Sequence, residues 1–123
     1  MSFYDNKHAS RLMTARGELI EVNDKGEMQM VSAHGHFGER FVDIHRVQDF
    51  GLSATPPAGA HGLLHAVGGR RDQMVVIGME HPEHRPRNLE PGETVIYNAH
   101  GDAVSVIKSN IRIKSARVDI NPP

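Results

Sequence analysis

Three features of the 123-residue sequence predict an all-β fold. Short runs rich in β-branched and alternating apolar residues recur between residues 18 and 79, and segments bearing Gly, Pro, Asn and Asp punctuate them. Past residue 93, apolar pairs return at a fixed spacing. Residues 5–14 suit a short helix ahead of the strands. Residues 18–22 and 27–33 then flank Asn23-Asp24-Lys25-Gly26, a hairpin signal. Phe41, Val42, Ile44 and Val47 make residues 40–47 strand-like. A Gly- and Pro-bearing loop over residues 51–59 precedes a strand at 63–67, and residues 68–72 turn the chain into another at 74–79. Five strands joined by short turns and one longer loop suit a small barrel of the OB type over residues 1–80, though one sequence does not reveal the pairing order.

Residues 81–92 hold three of the seven prolines and almost no apolar side chain, which predicts an extended connector. Beyond it, Val104 and Val106, Ile111 and Ile113, and Val118 and Ile120 form pairs, each seven residues after the last. The residue inside each pair is Ser105, Arg112 or Asp119, so one face is apolar and the other polar, the period of a strand. A coiled coil is excluded because the apolar positions lie two apart and are β-branched. Residues 93–123 therefore form a third region, an internal repeat. Fully burying a Val or Ile contributes about 1.5–3 kcal/mol, and a barrel with its own core offers this array nowhere to bury six of them. Partner copies would bury them.

Composition removes several functions. The chain has no cysteine, hence no disulfide, thiolate nucleophile or Cys-based zinc site. It has no Trp, four Phe and two Tyr, and its formal charge is −1, so it offers neither an aromatic platform nor a global attraction for nucleic acid. An OB-fold nucleic-acid binder is nonetheless one alternative, with strongly salt-dependent oligonucleotide binding as its signature. The N-terminal residues carry charges and no apolar stretch of the kind a secretory signal needs, which predicts synthesis in the cytoplasm without a signal peptide. The serines lack a nucleophile elbow, and Gly68-Gly69 is followed by no Gly-Lys-Ser/Thr phosphate loop. An enzyme is not expected.

Nine histidines raise the question of metal binding. His34 and His36 are two apart and would share one side of a strand, with Glu39 as a third ligand. This arrangement resembles the first motif of a cupin-like metal-dependent enzyme, and Gly51 through Pro57 and Gly59 to His61 resembles the second. Both motifs depart from the pattern: Glu39 and His61 each come one residue early, and Met28 stands where glycine belongs. Turn and surface histidines are the preferred reading. His81-Pro82-Glu83-His84 offers a second set of donors, but prolines at 82 and 86 predict an extended, solvated segment. Lys108, Arg112, Lys114 and Arg117 give the repeat a basic outer face, read as a solvated surface that discourages edge aggregation.

Residues 81–101, HPEHRPRNLEPGETVIYNAHG, resemble the barrel-to-needle junction of the Mu-like phage baseplate assembly protein V and central tail spike family. Upstream, MQMVSAHGHFGERFVDIHRVQDFGLSATPPAGAHG is similar to the barrel of the same family, so the resemblance covers nearly the whole chain. It implies a homotrimer: three barrels form a collar on the baseplate hub proteins, and the C-terminal strands intertwine into a trimeric β-helix. Sheath contraction would drive this virion component through the host outer membrane, with no bond broken in the target. On this reading Val104, Val106, Ile111, Ile113, Val118 and Ile120 are the trimer core. No cofactor is required, and an axial metal or chloride ion is compatible. Family spikes often hold a tip iron in a His-x-His motif, but no histidine follows His100, so that site is not carried over. With Asn121-Pro122-Pro123 stopping further pairing, a PAAR-like tip protein is the expected cap.

Overall fold

The computed structural model describes residues 14–35 and 38–123. The chain divides into two compact units, one ending at Pro82 and the other beginning at Glu83. In the first, strands β1 (Thr14–Asn23), β2 (Met30–His34), β3 (Arg40–Val47), β4 (His61–Ala66) and β5 (Met74–Glu80) close into a barrel of order β1-β2-β3-β5-β4. Neighbours are antiparallel except β3 and β5, which run parallel. Five strands closed in this order make an OB-like barrel, not the double-sheet jelly roll of a cupin.

Closure depends on β1. Its first half pairs with β4, Thr14 opposite His65 through Glu18 opposite His61, and its second half pairs with β2, Glu18 opposite His34 through Asn23 opposite Met30. A bulge between Leu19 and Glu21 lies between these halves. An extra residue on one strand bends it and increases its twist, which lets a single strand serve two neighbours. At the bulge, Leu19 N–H donates to the Ala60 carbonyl at 2.8 Å and Gly59 N–H donates to the Leu19 carbonyl at 2.9 Å, so the segment before β4 completes the pairing the bulge interrupts. Gly17 is required where β1 meets β4, since a Cβ there would lie 2.7 Å from Leu64 Cγ.

The barrel interior holds Leu19, Val31, Ala33, Ala60, Leu64, Ala66, Met74 and Val76, with Val22, Phe41, Ile44 and Met79 packed against them. The fillers are small, as a narrow five-stranded barrel demands. Among the described residues two polar side chains are also buried, Gln29 and Ser32. Gln29 fixes the long β3–β4 loop: its amide nitrogen donates to Ala54 O at 2.9 Å and Asp24 Oδ1 at 3.0 Å. Its amide oxygen accepts from Arg46 Nη1 at 3.0 Å, and Arg46 Nη1 also donates to Ala54 O. Partial burial pushes the Arg46 guanidinium below its ordinary pKa, so these acceptors carry the cation's hydrogen bonds where water is scarce.

The second unit is a three-stranded antiparallel meander of β6 (Thr94–Tyr97), β7 (Ala103–Ile107) and β8 (Asn110–Lys114). Residues 98–102 join β6 to β7, and a two-residue turn at Lys108 and Ser109 joins β7 to β8, with Lys108 at φ 31°.

The expected strands at 40–47 and 74–79 are present as β3 and β5. The hairpin expected from residues 18–33 exists, but β2 begins only at Met30 and β1 reaches back to Thr14. The helix expected over 5–14 lies outside the described residues, apart from Thr14, which is in β1. The strand expected at 63–67 runs over His61–Ala66 instead, because Val67 enters a 3-10 turn over Val67–Gly69.

Candidate assembly surface

Strand register decides which side chains of the meander share a face. Ile96 stands opposite Val104, Val104 opposite Ile113, and Val106 opposite both Thr94 and Ile111. Side chains of directly opposed residues project to the same side of a sheet. One face therefore gathers Ile96, Val104, Val106, Ile111 and Ile113, and the other mixes Ser105, Arg112 and Lys114 with Val95, Tyr97, Ala103 and Ile107. The apolar face is open within the chain: Ile96 is 62% exposed, Val106 50%, Ile111 73% and Ile113 59%, against 0–2% for Val31, Leu64 and Val76 in the barrel.

Sequence periodicity singled out Val104, Val106, Ile111 and Ile113, and the register places these four together. It missed Ile96. The rung of Thr94 and Ile96 lies ten residues before Val104 and Val106, because the 98–102 loop replaces a tight turn. The signal available was the alternation of residues 94–97 at the edge of a polar segment. Val118 and Ile120 are exposed and follow β8 outside any strand, although Val118 lines the same shallow groove as Ile96, Val104 and Ile113.

The 98–102 loop is held by one side chain. Asn98 Oδ1 accepts from His100 N at 2.8 Å and Asp102 N at 3.1 Å, and Asn98 Nδ2 donates to Asp102 Oδ2 at 3.0 Å. Asn98 N–H closes the loop on the Asp102 carbonyl at 3.2 Å. The Asn98 amide, followed by the Ser115 hydroxyl, holds the Asp102 carboxyl below the usual carboxylate range; nearby His100 and Lys114 act in the same direction.

The cupin-like residues are placed differently from the motif. His34 ends β2 and is exposed, and His36 lies outside the described residues. Glu39 accepts from Arg71, whose guanidinium also sits 5.5 Å from the centre of the Phe41 ring. His61 opens β4, where the backbone register sets it opposite Glu18 and Glu80. The prolines of the connector produce a turn over residues 82–84 instead of the expected extended run. That turn brings one ligand atom each of His81, Glu83 and His84 within 4.8 Å of one another, a small cluster able to coordinate a metal.

An OB-like barrel followed by a strand array with one open apolar face defines the class of protein. Comparison with known proteins defines the family. The model for the N-terminal region of bacteriophage Mu Gp45 matches residues 16–83, which is the barrel from β1 to just past β5. The chain is 34% identical over 98 residues to the baseplate puncturing device gp45 of Escherichia phage Mu, covering 80% of this chain and 50% of that protein. It is 26% identical over 111 residues to the Mu-like prophage FluMu protein gp45 of Haemophilus influenzae, covering 90% of this chain and 60% of that one. The chain thus spans half to three-fifths of the length of these relatives. It belongs to the bacteriophage Mu Gp45 family.

Proposed function

We propose that this chain is a structural part of a contractile-tail baseplate, in which three copies form a central spike. Residues 93–123 of each copy pack their apolar faces about a common axis as an intertwined β-helix needle, and sheath contraction drives that needle through the host outer membrane. One observation carries this reading: Ile96, Val104, Val106, Ile111 and Ile113 stand on one face of a three-stranded sheet and are uncovered within their own chain. An apolar face left in water forfeits its burial energy, and a shared interior between copies supplies it. Kinship with the Mu baseplate puncturing device supports the baseplate setting and the virion as the place of action, and it argues against an enzymatic role.

Three apolar-faced sheets close a triangular prism whose basic and polar side chains, Arg112 and Lys114 among them, point outward. Hydrogen-bonded strands around a dry core resist bending and compression, which is the property a puncturing needle needs. Val118 and Ile120 would enter a further rung once a neighbouring copy offers β8 an edge to extend. Hub proteins on the barrel side and a PAAR-like tip protein on the needle side are the proposed partners. The mass in solution tests the reading. The full chain is expected at about 41 kDa, three times 13.6 kDa, and a chain truncated after Pro91 is expected to lose the trimer. A truncated chain that still forms the same trimer contradicts the role given to the repeat.

A further inference from the structure

We propose that the outer wall of the barrel is a docking surface for a second copy of this chain, with Phe50 and Asp49 of one barrel seating on Leu63 and Arg16 of the next. The inference rests on the three-copy reading above and names the surface through which the barrels meet.

Strand register builds the surface. Leu63 on β4 stands opposite Ile77 on β5, and Ile77 stands opposite Val47 on β3. Leu64 and Val76 belong to the barrel core, so alternation turns Leu63 and Ile77 outward, and Val47 with them. Each of the three keeps nearly half its surface in water. Past Val47, a groove adds the exposed Leu52, and the Phe50 side chain beside it is fully exposed. Apolar residues exposed singly are ordinary, whereas a contiguous row of them marks an interaction site.

The Phe50 loop is held ready for contact. Leu52 N–H donates to the Asp49 carbonyl at 3.2 Å, and Gly51 between them has φ 95°. This is a tight turn with glycine at its third position, which puts Phe50 at the apex. Ala54 then anchors the loop: its N–H donates to Gln48 Oε1 at 2.9 Å, and its carbonyl accepts from Gln29 and Arg46. A side chain presented on a fixed turn loses little freedom on docking.

Charge names the occupant. Arg16 on β1 stands opposite Leu63 at one end of the row, and Asp49 lines the groove at the other. Neither side chain forms an ion pair with any described residue. A row with a cation at one end, an anion at the other and apolar side chains between them complements a second copy of itself laid head to tail. Because β1 and β3 are not neighbours in the closed barrel, the two ends face different directions. A contact between two different patches is heterologous and closes into a ring when its rotation allows, so each of three barrels uses both ends once. The surface is small against the roughly 20–30 residues a side of a lasting interface. It therefore orders barrels that the needle already tethers, where effective concentration takes the place of affinity.

The test is irradiation of the full chain carrying p-benzoylphenylalanine in place of Phe50, read by denaturing gel and mass spectrometry. Covalent dimers and trimers are expected, with the adduct on peptides that contain Arg16 or Leu63. Asp49→Arg should lower the adduct yield about threefold or more, and Arg16→Asp in the same chain should restore it. Circular dichroism confirms that each variant keeps its fold. An assembled trimer without adducts, or with adducts only to residues 46–54 of another copy, overturns the proposal and leaves the spike reading standing. Failure of Arg16→Asp to restore the yield also overturns it. A full chain that is monomeric in solution overturns both.

Discussion

The barrel and the meander use similar β-branched strands and reach opposite outcomes. In the barrel, β1 bends at a bulge and reaches both β2 and β4, so the sheet closes and Val31, Leu64 and Val76 lose nearly all contact with water. In the meander, three short strands stay open, and Val104, Val106, Ile111 and Ile113 keep a third to three-quarters of their surface exposed. Burial in the first unit is achieved within the chain, and in the second the apolar face stays open within it, the face proposed above to be shared between copies. The contrast arises from strand number and closure, since a strand's alternation dictates only that one face be apolar.

The largest effect that sharpens this contrast comes from placing a charge on the open face. Val106→Asp should convert an assembled trimer to 13.6 kDa monomers while the barrel keeps its circular dichroism and cooperative melting, because an unpaired carboxylate cannot be buried without a severe desolvation cost. Leu64→Ala should do the converse and destabilise the barrel by about 2–5 kcal/mol in denaturant titration, leaving the oligomer mass unchanged below the transition. Equal effects of both substitutions on both readouts would break the division between the units.

Smaller effects follow from the polar anchors. Gln29→Ala removes partners of Arg46 Nη1 and Ala54 O in the barrel wall and should cost about 1–3 kcal/mol, again with no loss of assembly. The smallest concerns Asp102. Its carboxyl is held below the ordinary value, so its contribution is complete above about pH 4 and is lost as the pH falls through the lower, folded-state value. In Asn98→Ala this acid-dependent step in meander stability should diminish, as followed by hydrogen exchange of the ladder amides of β7 and β8, whose partners the substitution leaves in place.

Much of the barrel was legible in the sequence because each strand advertises itself locally. Phe41, Val42, Ile44 and Val47 mark β3 from end to end, and Gly68-Gly69 marks the turn before β5. The start of β1 was hidden: Arg16 and Gly17 interrupt the alternation, and Gly17 is there for close approach to Leu64, a tertiary requirement that no local pattern expresses. The Leu19–Glu21 bulge and the parallel pairing of β3 with β5 are likewise properties of closure.

In the meander, a seven-residue period located Val104, Val106, Ile111 and Ile113 on one face, but it could not weigh the longer 98–102 loop and so omitted Ile96. Val118 and Ile120 keep the period without forming a strand within the chain, since pairing needs an adjacent strand as well as an alternating sequence. The connector misled for a related reason. Prolines 82 and 86 were read as extension, whereas the chain between them turns and gathers His81, Glu83 and His84.

The central claim is that the Ile113 face of the meander is an interior shared between copies. Because the chain has no native cysteine, single substitutions Ile113→Cys and Arg112→Cys place unique thiols on opposite faces of the same strand. Thiol alkylation rates in the assembled protein measure the difference. At least tenfold slower labelling at 113 than at 112, abolished by denaturant, is the predicted result; equal rates at the two positions in the native protein would contradict the account.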